Sequence, residues 1–172
     1  MSAAERNRIL VAGIGNVFLG DDGFGVEVVR RIDLATLPEC VDVADYGIRG
    51  VHLAYELLNG RHATLVLVDA IPLDDPPGTL AVLRVDPGAT GAEHVVPAID
   101  GHGMDPQAVL QLLHGLGGGV NRVFVVGCRP ADCSERMGLS AVVAEAVDEA
   151  VRLVTDVVGA EVGIPTPVAE RT

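Results

Sequence analysis

Three side chains that could bind a divalent metal ion lie far apart in the sequence: Asp22, Asp69 and His102. Asp22 lies in the loop after a short apolar run, and Asp69 directly follows the most apolar run of the chain. His102 lies between two glycines, just before a predicted helix. Two carboxylates and one imidazole suit a borderline ion such as nickel, zinc, cobalt or manganese, and the set lacks the thiolates of a structural zinc site. The sequence therefore predicts one metal-contacting site.

Each of these residues also has a purely structural alternative. Asp21 or Asp22 could cap the first helix, where an acid satisfies free N–H groups and suits the helix dipole. Asp69 needs compensation, because an ionised carboxylate at the end of an apolar strand costs desolvation energy, and a backbone N–H could supply it. A lone histidine is usually a surface residue, and this interpretation is given to the other four, His52, His62, His94 and His114.

The elements that would position these side chains alternate between strand and helix. This alternation is typical of an α/β domain with a mostly parallel sheet. The fourth strand follows so short a connection that it could form an antiparallel edge. One domain over residues 1–172 is expected, with a loose tail at 160–172. Apolar runs predict strands at 8–13, 41–46, 63–68, 79–85 and 122–127, and apolar periodicity predicts helices at 23–32, 51–58, 105–114 and 140–158.

The order of the strands decides whether the two carboxylates can meet. In open parallel sheets, sites form beyond the carboxyl ends of the strands, where the strand order reverses. Asp22 follows the first strand and Asp69 follows the third. If these strands are neighbours, as in the common order 2-1-3, both carboxylates face one crevice.

Composition excludes several classes of function. The chain has 172 residues and a net charge of -12, and all of its cations are arginine, which disfavours binding to nucleic acid or to an anionic membrane. No apolar run approaches the roughly 20 residues of a membrane span, and the N-terminus does not resemble a signal peptide. Three cysteines argue against a disulfide framework and favour the cytoplasm, with buried, inert thiols expected at Cys40, Cys128 and Cys133.

Familiar catalytic motifs are absent or incomplete. Gly13-Ile14-Gly15 resembles the start of a dinucleotide fingerprint, but Phe18 occupies the third glycine position, and the acidic pair after it would repel a pyrophosphate. The sequence contains no P-loop, no nucleophile elbow and no HExxH. A thiol protease based on Cys128 lacks any histidine that the sequence places beside it.

The segment from Gly13 to Val26, GIGNVFLGDDGFGV, resembles the N-terminal signature of the hydrogenase maturation protease family. That signature consists of a strand, GxGN, an apolar pair and then D-[DE]-G-x-G. The resemblance continues through Val68-Asp69-Ala70 and through His102 followed by a helix. It extends to 126–130 and 137–140, and so covers roughly residues 8–158.

The resemblance implies both a fold and an activity. It implies a three-layer α/β fold, in which a mostly parallel, twisted sheet of about five strands is flanked by helices on both faces. It implies a cytoplasmic, nickel-dependent, aspartyl-type endopeptidase that removes the C-terminal extension of a nickel–iron hydrogenase large-subunit precursor after nickel insertion. The metal-contacting positions of the family map onto Asp22, Asp69 and His102, with the nickel supplied by the precursor as partner. Asp22 or Asp69 could then act as the general base.

Two positions depart from the pattern of the family. Arg129 stands where the family often carries an acid, and Tyr46-Gly47-Ile48-Arg49-Gly50 replaces a turn that contains threonine. These differences leave the particular hydrogenase open. The rival interpretations are a related germination-type protease, a non-catalytic nickel-binding chaperone for hydrogenase assembly, and a nucleotide-binding module.

Overall fold

A single five-stranded sheet forms the centre of the computed structural model, which describes residues 7–87 and 106–163. The strand order is β2-β1-β3-β5-β4, and every neighbouring pair is parallel except β4 and β5. The predicted mostly parallel sheet and its antiparallel edge strand are therefore confirmed. The strands are β1 (Arg8–Ile14), β2 (Val41–Gly47), β3 (His62–Ala70), β4 (Leu80–Val85) and β5 (Arg122–Cys128).

Helices cover both faces of this sheet, which gives the predicted three layers. Helices α1 and α4 bury their apolar residues against one face, and α2 and α3 against the other. Short 3₁₀ turns at Gly20–Gly23 and Leu34–Thr36 precede and follow α1. No helix in the described residues is long and apolar enough to cross a membrane. The helices are α1 (Phe24–Arg31), α2 (Gly50–Leu58), α3 (Pro106–Gly115) and α4 (Ala141–Glu161).

The central strands are apolar throughout because both of their faces are buried. All nine residues of β3 are buried. Val66 and Val68 pack with α1 and α4, whereas Leu65 and Leu67 pack with α2 and α3. A parallel strand between two helical layers needs apolar side chains in both directions. This requirement explains why the run has no alternation of polar and apolar residues.

Glycine lets α1 lie directly on the sheet. A Cβ added at Gly25 would lie 2.0 Å from the carbonyl oxygen of Val68 and 2.5 Å from that of Ile14. No side chain fits in that space, so the last glycine of the D-[DE]-G-x-G pattern is required by the contact between helix and strands. The close packing fixes the start of α1, and with it the acidic loop before the helix, against β1 and β3.

The structure corrects several element boundaries. The first helix was predicted from residue 23, but Gly23 ends a 3₁₀ turn and α1 begins at Phe24. The third strand was predicted to stop at residue 68, yet it continues to Ala70, so Asp69 lies within the strand and pairs with Gly127. The predicted tail from residue 160 is wrong at its start, because α4 continues to Glu161. Residues 164–172 lie outside the described residues.

Candidate active site

The structure brings Asp22 and Asp69 to the same edge of the sheet. Strands β1 and β3 are direct neighbours, so the order 2-1-3 that the sequence argument assumed is the observed one. Gly15, just after β1, lies close to both acids. Its φ is +130°, and a Cβ there would lie 1.9 Å from the carbonyl oxygen of Asp22 and 3.8 Å from Oδ1 of Asp69. Any side chain at this position would collide with the Asp22 backbone, so glycine is what allows the chain after β1 to pack against the turn that carries Asp22.

Asp22 is held by the loop that precedes it. Its Oδ2 accepts a hydrogen bond of 2.7 Å from the backbone N–H of Asn16. Burial raises the pKa of the Asp22 carboxyl, and the hydrogen bond from Asn16 only partly offsets this effect. A carboxyl group whose pKa is raised toward neutral pH is suited to accept a proton during a reaction.

Asp21, the neighbouring acid, has a structural role. Its side chain is fully buried. Oδ2 accepts hydrogen bonds from the backbone N–H groups of Ala131 and Asp132 and from Oγ of Ser140, and Oδ1 accepts one of 2.6 Å from the Ser140 N–H. Burial by itself would raise the pKa of Asp21, but these hydrogen bonds together lower it below its usual value. Asp21 is therefore an ionised anchor for the connection between β5 and α4.

The helix-capping alternative is wrong for both acids. The residue at the N-cap position of α1 is Gly23, and no side chain caps that helix. Ser140 occupies the N-cap position of α4, but its side chain does not cap that helix; the hydroxyl donates to Asp21 instead.

Backbone hydrogen bonds join the loop of residues 16–22 to the segment of residues 131–140. The Asp21 N–H donates to the Asp132 carbonyl at 2.9 Å, the Gly20 N–H to the Arg136 carbonyl at 2.8 Å, and the Arg136 N–H to the Phe18 carbonyl at 3.0 Å. Residues far apart in the sequence thus form one surface beside Asp22. The sequence interpretation missed this contact, and the only signal in the sequence was the pair of adjacent acids, Asp21 and Asp22.

The cysteines near the site are not activated. Burial raises the pKa of Cys128 to about 11. Burial, together with the charges of Asp22 and Asp21, raises the pKa of Cys133 to about 11 as well. Both thiols stay protonated near neutral pH, which disfavours a thiol protease, since the thiolate is the nucleophile. The expectation that all three cysteines are buried is right for Cys128 and wrong for Cys40 and Cys133, which are partly exposed.

Arg129, one of the two departures from the family pattern, organises the adjoining loops. Its Nη1 donates to the carbonyl oxygen of Leu73, in the segment after β3. Its backbone N–H donates to the Thr79 carbonyl, and its own carbonyl accepts from Gly78. The guanidinium therefore has a local structural function at the carboxyl end of β5.

Asp69 itself is 8% exposed. Asp69 and Leu67 are two residues apart on β3, so their side chains lie on the same face of the sheet, which α2 and α3 cover. His102, the third predicted ligand, lies outside the described residues. Within 7–87 and 106–163, no group of three or more histidine, cysteine or acidic side chains could hold a metal ion. The three-residue site remains a prediction; Oδ1 of Asp69 and the backbone of Asp22 both lie near Gly15.

Known proteins resemble this chain over most of its length. A family model described as hydrogenase maturation protease matches residues 26–157. A putative hydrogenase maturation protease of Methanocaldococcus jannaschii is 33% identical over 153 residues, which cover 87% of this chain and 96% of that protein. The hydrogenase 2 maturation protease of Escherichia coli is 30% identical over 154 residues, covering 86% of this chain and 88% of that protein.

Solved structures show the same fold. The hydrogenase maturating endopeptidase HybD from E. coli matches with a TM-score of 0.72 and 28% sequence identity. The match covers 91% of this chain and 94% of that structure. The five-stranded, mostly parallel sheet with helices on both faces is thus shared with an endopeptidase of known structure.

Proposed function

We propose that this chain, which belongs to the hydrogenase maturation protease family, removes the C-terminal extension of a nickel–iron hydrogenase large-subunit precursor after nickel insertion. The nickel in the precursor would be recognised through Asp22, Asp69 and His102. The observation that carries the proposal is that Asp22 and Asp69 both lie close to Gly15, at the carboxyl edge of the sheet. This edge is where open parallel sheets form their sites.

The path of α3 supports the inclusion of His102. The last residue of α3, Gly115, is joined by a short connection to Arg122 at the amino end of β5. A helix of ten residues is about 15 Å long, so its first residue, Pro106, is directed toward the carboxyl edge. His102 precedes Pro106 by four residues, a stretch that spans at most about 14 Å. The same helix covers the face of the sheet to which Asp69 belongs.

The chemistry of the three residues suits a metal ion that arrives with the substrate. Carboxylate oxygens and an imidazole nitrogen can bind nickel. Recognition of an ion already bound to the precursor would place the scissile bond at the site and would make cleavage depend on successful metal insertion. The ion could also polarise the peptide carbonyl. Asp22, whose pKa is raised by burial, is suited to take the proton of the attacking water.

The decisive experiment compares cleavage of purified precursor with and without nickel. We expect the nickel-loaded precursor to be shortened at its C-terminus, as seen by mass spectrometry, and the nickel-free precursor to remain intact. His102→Ala should abolish shortening, whereas the matched control His52→Ala should not, because His52 lies exposed on α2.

Two results would contradict the proposal. One is cleavage of nickel-free precursor at the normal rate, and the other is full activity of His102→Ala. Binding of the loaded precursor without any shortening would favour the alternative of a non-catalytic assembly chaperone.

A further inference from the structure

Two large apolar side chains are strongly exposed beside the candidate active site. Phe18 is 63% exposed and Met137 is 69% exposed. They belong to the two segments that hydrogen bonds join next to Asp22, and a β-bridge between Leu19 and Arg136 holds those segments side by side. Their exposure is therefore a property of an ordered surface, because the backbone on each side is fixed by hydrogen bonds.

Further hydrogen bonds connect Phe18 and Met137 to the acidic loop around Asp22. The Phe18 N–H donates to Oδ1 of Asn16 at 2.9 Å, and the Asn16 N–H donates to Oδ2 of Asp22 at 2.7 Å. On the other side, Asp21 anchors the segment that carries Met137 through its bonds to Ala131, Asp132 and Ser140. Phe18 and Met137 thus have defined positions relative to the Asp22 carboxylate.

We infer that Phe18 and Met137 form a substrate-binding surface that selects bulky apolar residues of the polypeptide next to the scissile bond. This inference rests on the proposed function, because it assigns a specificity role at the same site. The occupant follows from continuity: a member of a protease family must receive a polypeptide at its active site, and this surface adjoins Asp22. A second copy of the chain is disfavoured as the occupant, since two molecules of net charge -12 repel each other.

The two side chains can be changed without harming the fold. Their side chains are mostly in solvent in the free protein, so polar replacements remove little packing. On substrate binding, by contrast, each side chain would leave water, and loss of that burial should weaken binding by about tenfold. The expected result is a higher KM with little change in kcat, because the lost contact is made equally with the bound substrate and with the transition state.

The test measures cleavage of nickel-loaded precursor over a range of concentrations. Phe18→Ser and Met137→Gln should each raise KM by about tenfold, keep kcat within about twofold and leave the unfolding temperature unchanged. The matched control is Leu34→Ser. Leu34 is also 63% exposed, but it lies between α1 and β2, at the amino edge of the sheet. The KM of the Leu34→Ser variant should equal that of the unaltered protein.

A complementary series changes the substrate. Apolar residues on either side of the cleaved bond are replaced by serine, and the KM values of all four combinations of enzyme and substrate form a double-mutant cycle. If the surface contacts those residues, the Phe18→Ser enzyme should no longer respond to the substrate change. Independent, additive effects would overturn the inference.

The two proposals fail in different ways. Normal cleavage with unchanged KM in both variants rejects the substrate-binding surface and leaves the proposed function intact. Binding of precursor without cleavage by the unaltered protein rejects the proposed function. In that case, the dissociation constants of the same variants for loaded precursor decide the role of the surface. Constants equal to that of the unaltered protein reject the substrate-binding surface.

Discussion

The two ends of the sheet use acidic residues in opposite ways. At the amino edge, Asp42 accepts two hydrogen bonds of 2.7 Å from Arg8, and Nε2 of His62 lies 2.8 Å from the same carboxylate. The hydrogen bonds from Arg8 and then His62 lower the pKa of Asp42 to about 2. At the carboxyl edge, burial raises the pKa of Asp22, which accepts a hydrogen bond from Asn16.

The acid at the amino edge stabilises the fold, whereas the acid at the carboxyl edge is suited to function. The charge on Asp42 is compensated by a cation that joins the starts of β1 and β2, so ionisation favours the folded state. The charge on Asp22 is penalised by burial, so ionisation opposes folding slightly and the group is ready to accept a proton or a cation. An acid kept at a cost in desolvation is typical of a functional site.

The largest effect is expected for Asp22→Asn. Removal of the carboxylate should lower the rate of precursor cleavage by at least about 100-fold, since it removes the proposed base and metal contact. The free energy of unfolding should stay the same or rise, because the amide oxygen can still accept from Asn16 and no buried charge remains. Cleavage assays and urea unfolding provide the two measurements. A clear loss of stability would show that Asp22 is an anchor like Asp42.

A smaller effect is expected for Asp21→Asn, and it should change both the free energy of unfolding and the rate of cleavage. Asparagine offers a single acceptor oxygen and an NH₂ group that opposes the donors now satisfied by Asp21. The free energy of unfolding should fall by about 2 kcal/mol, because buried N–H groups lose their partner. Cleavage should fall as the loop around Asp22 loosens. Urea unfolding measures the first change, and Glu135→Gln, an exposed acid of the same segment, is the control without effect.

The smallest effect is expected for Asp42→Asn and depends on pH. The pKa of Asp42 lies near 2 in the folded protein and about 3.9 in the unfolded chain. Its contribution to stability is thus complete above about pH 4 and is lost as the pH falls toward 2. At pH 7 the variant should lose only about 1 kcal/mol, because the partly exposed Asp42 is screened by solvent.

Unfolding curves at several pH values check this expectation. The difference between Asp42→Asn and the unaltered protein should shrink steadily below pH 4, while precursor cleavage at pH 7 should not change. A stability difference that persists at pH 2 would show that the Asp42 charge does not stabilise the fold. A loss of cleavage would show that the two ends of the sheet are coupled.

Much of the fold was predictable because local signals and tertiary structure agree. The apolar run of β3 indicated a strand buried on both faces, and the helical stripe containing Val143, Val147 and Val154 is the buried face of α4. The short turn before β4 indicated an antiparallel edge strand, as found. The order of the strands was assumed, since no local feature of β1 reveals its neighbours.

The polar residues were less predictable because their partners are distant in sequence. His62 was expected at the surface, but it is buried at the start of β3, and its partner Asp42 comes from a different strand. Ser140, at the N-cap position of α4, likewise has a distant partner, since its hydroxyl donates to Asp21 and not to its own helix. Residue type and spacing contain no information on such pairs until the strands are assembled.

The amino-acid sequence by itself determined the alternation of strands and helices, the glycines that permit close packing, and the family. The family resemblance singled out Asp22, but only the tertiary structure gave the physical difference between Asp21 and Asp22, which are adjacent and chemically identical. Successive residues of a 3₁₀ turn point about 120° apart, so Asp21 meets the donors of the segment before α4 while Asp22 faces Asn16 and the site. Burial and hydrogen bonding then move their pKa values in opposite directions, because both effects depend on surroundings supplied by distant parts of the chain.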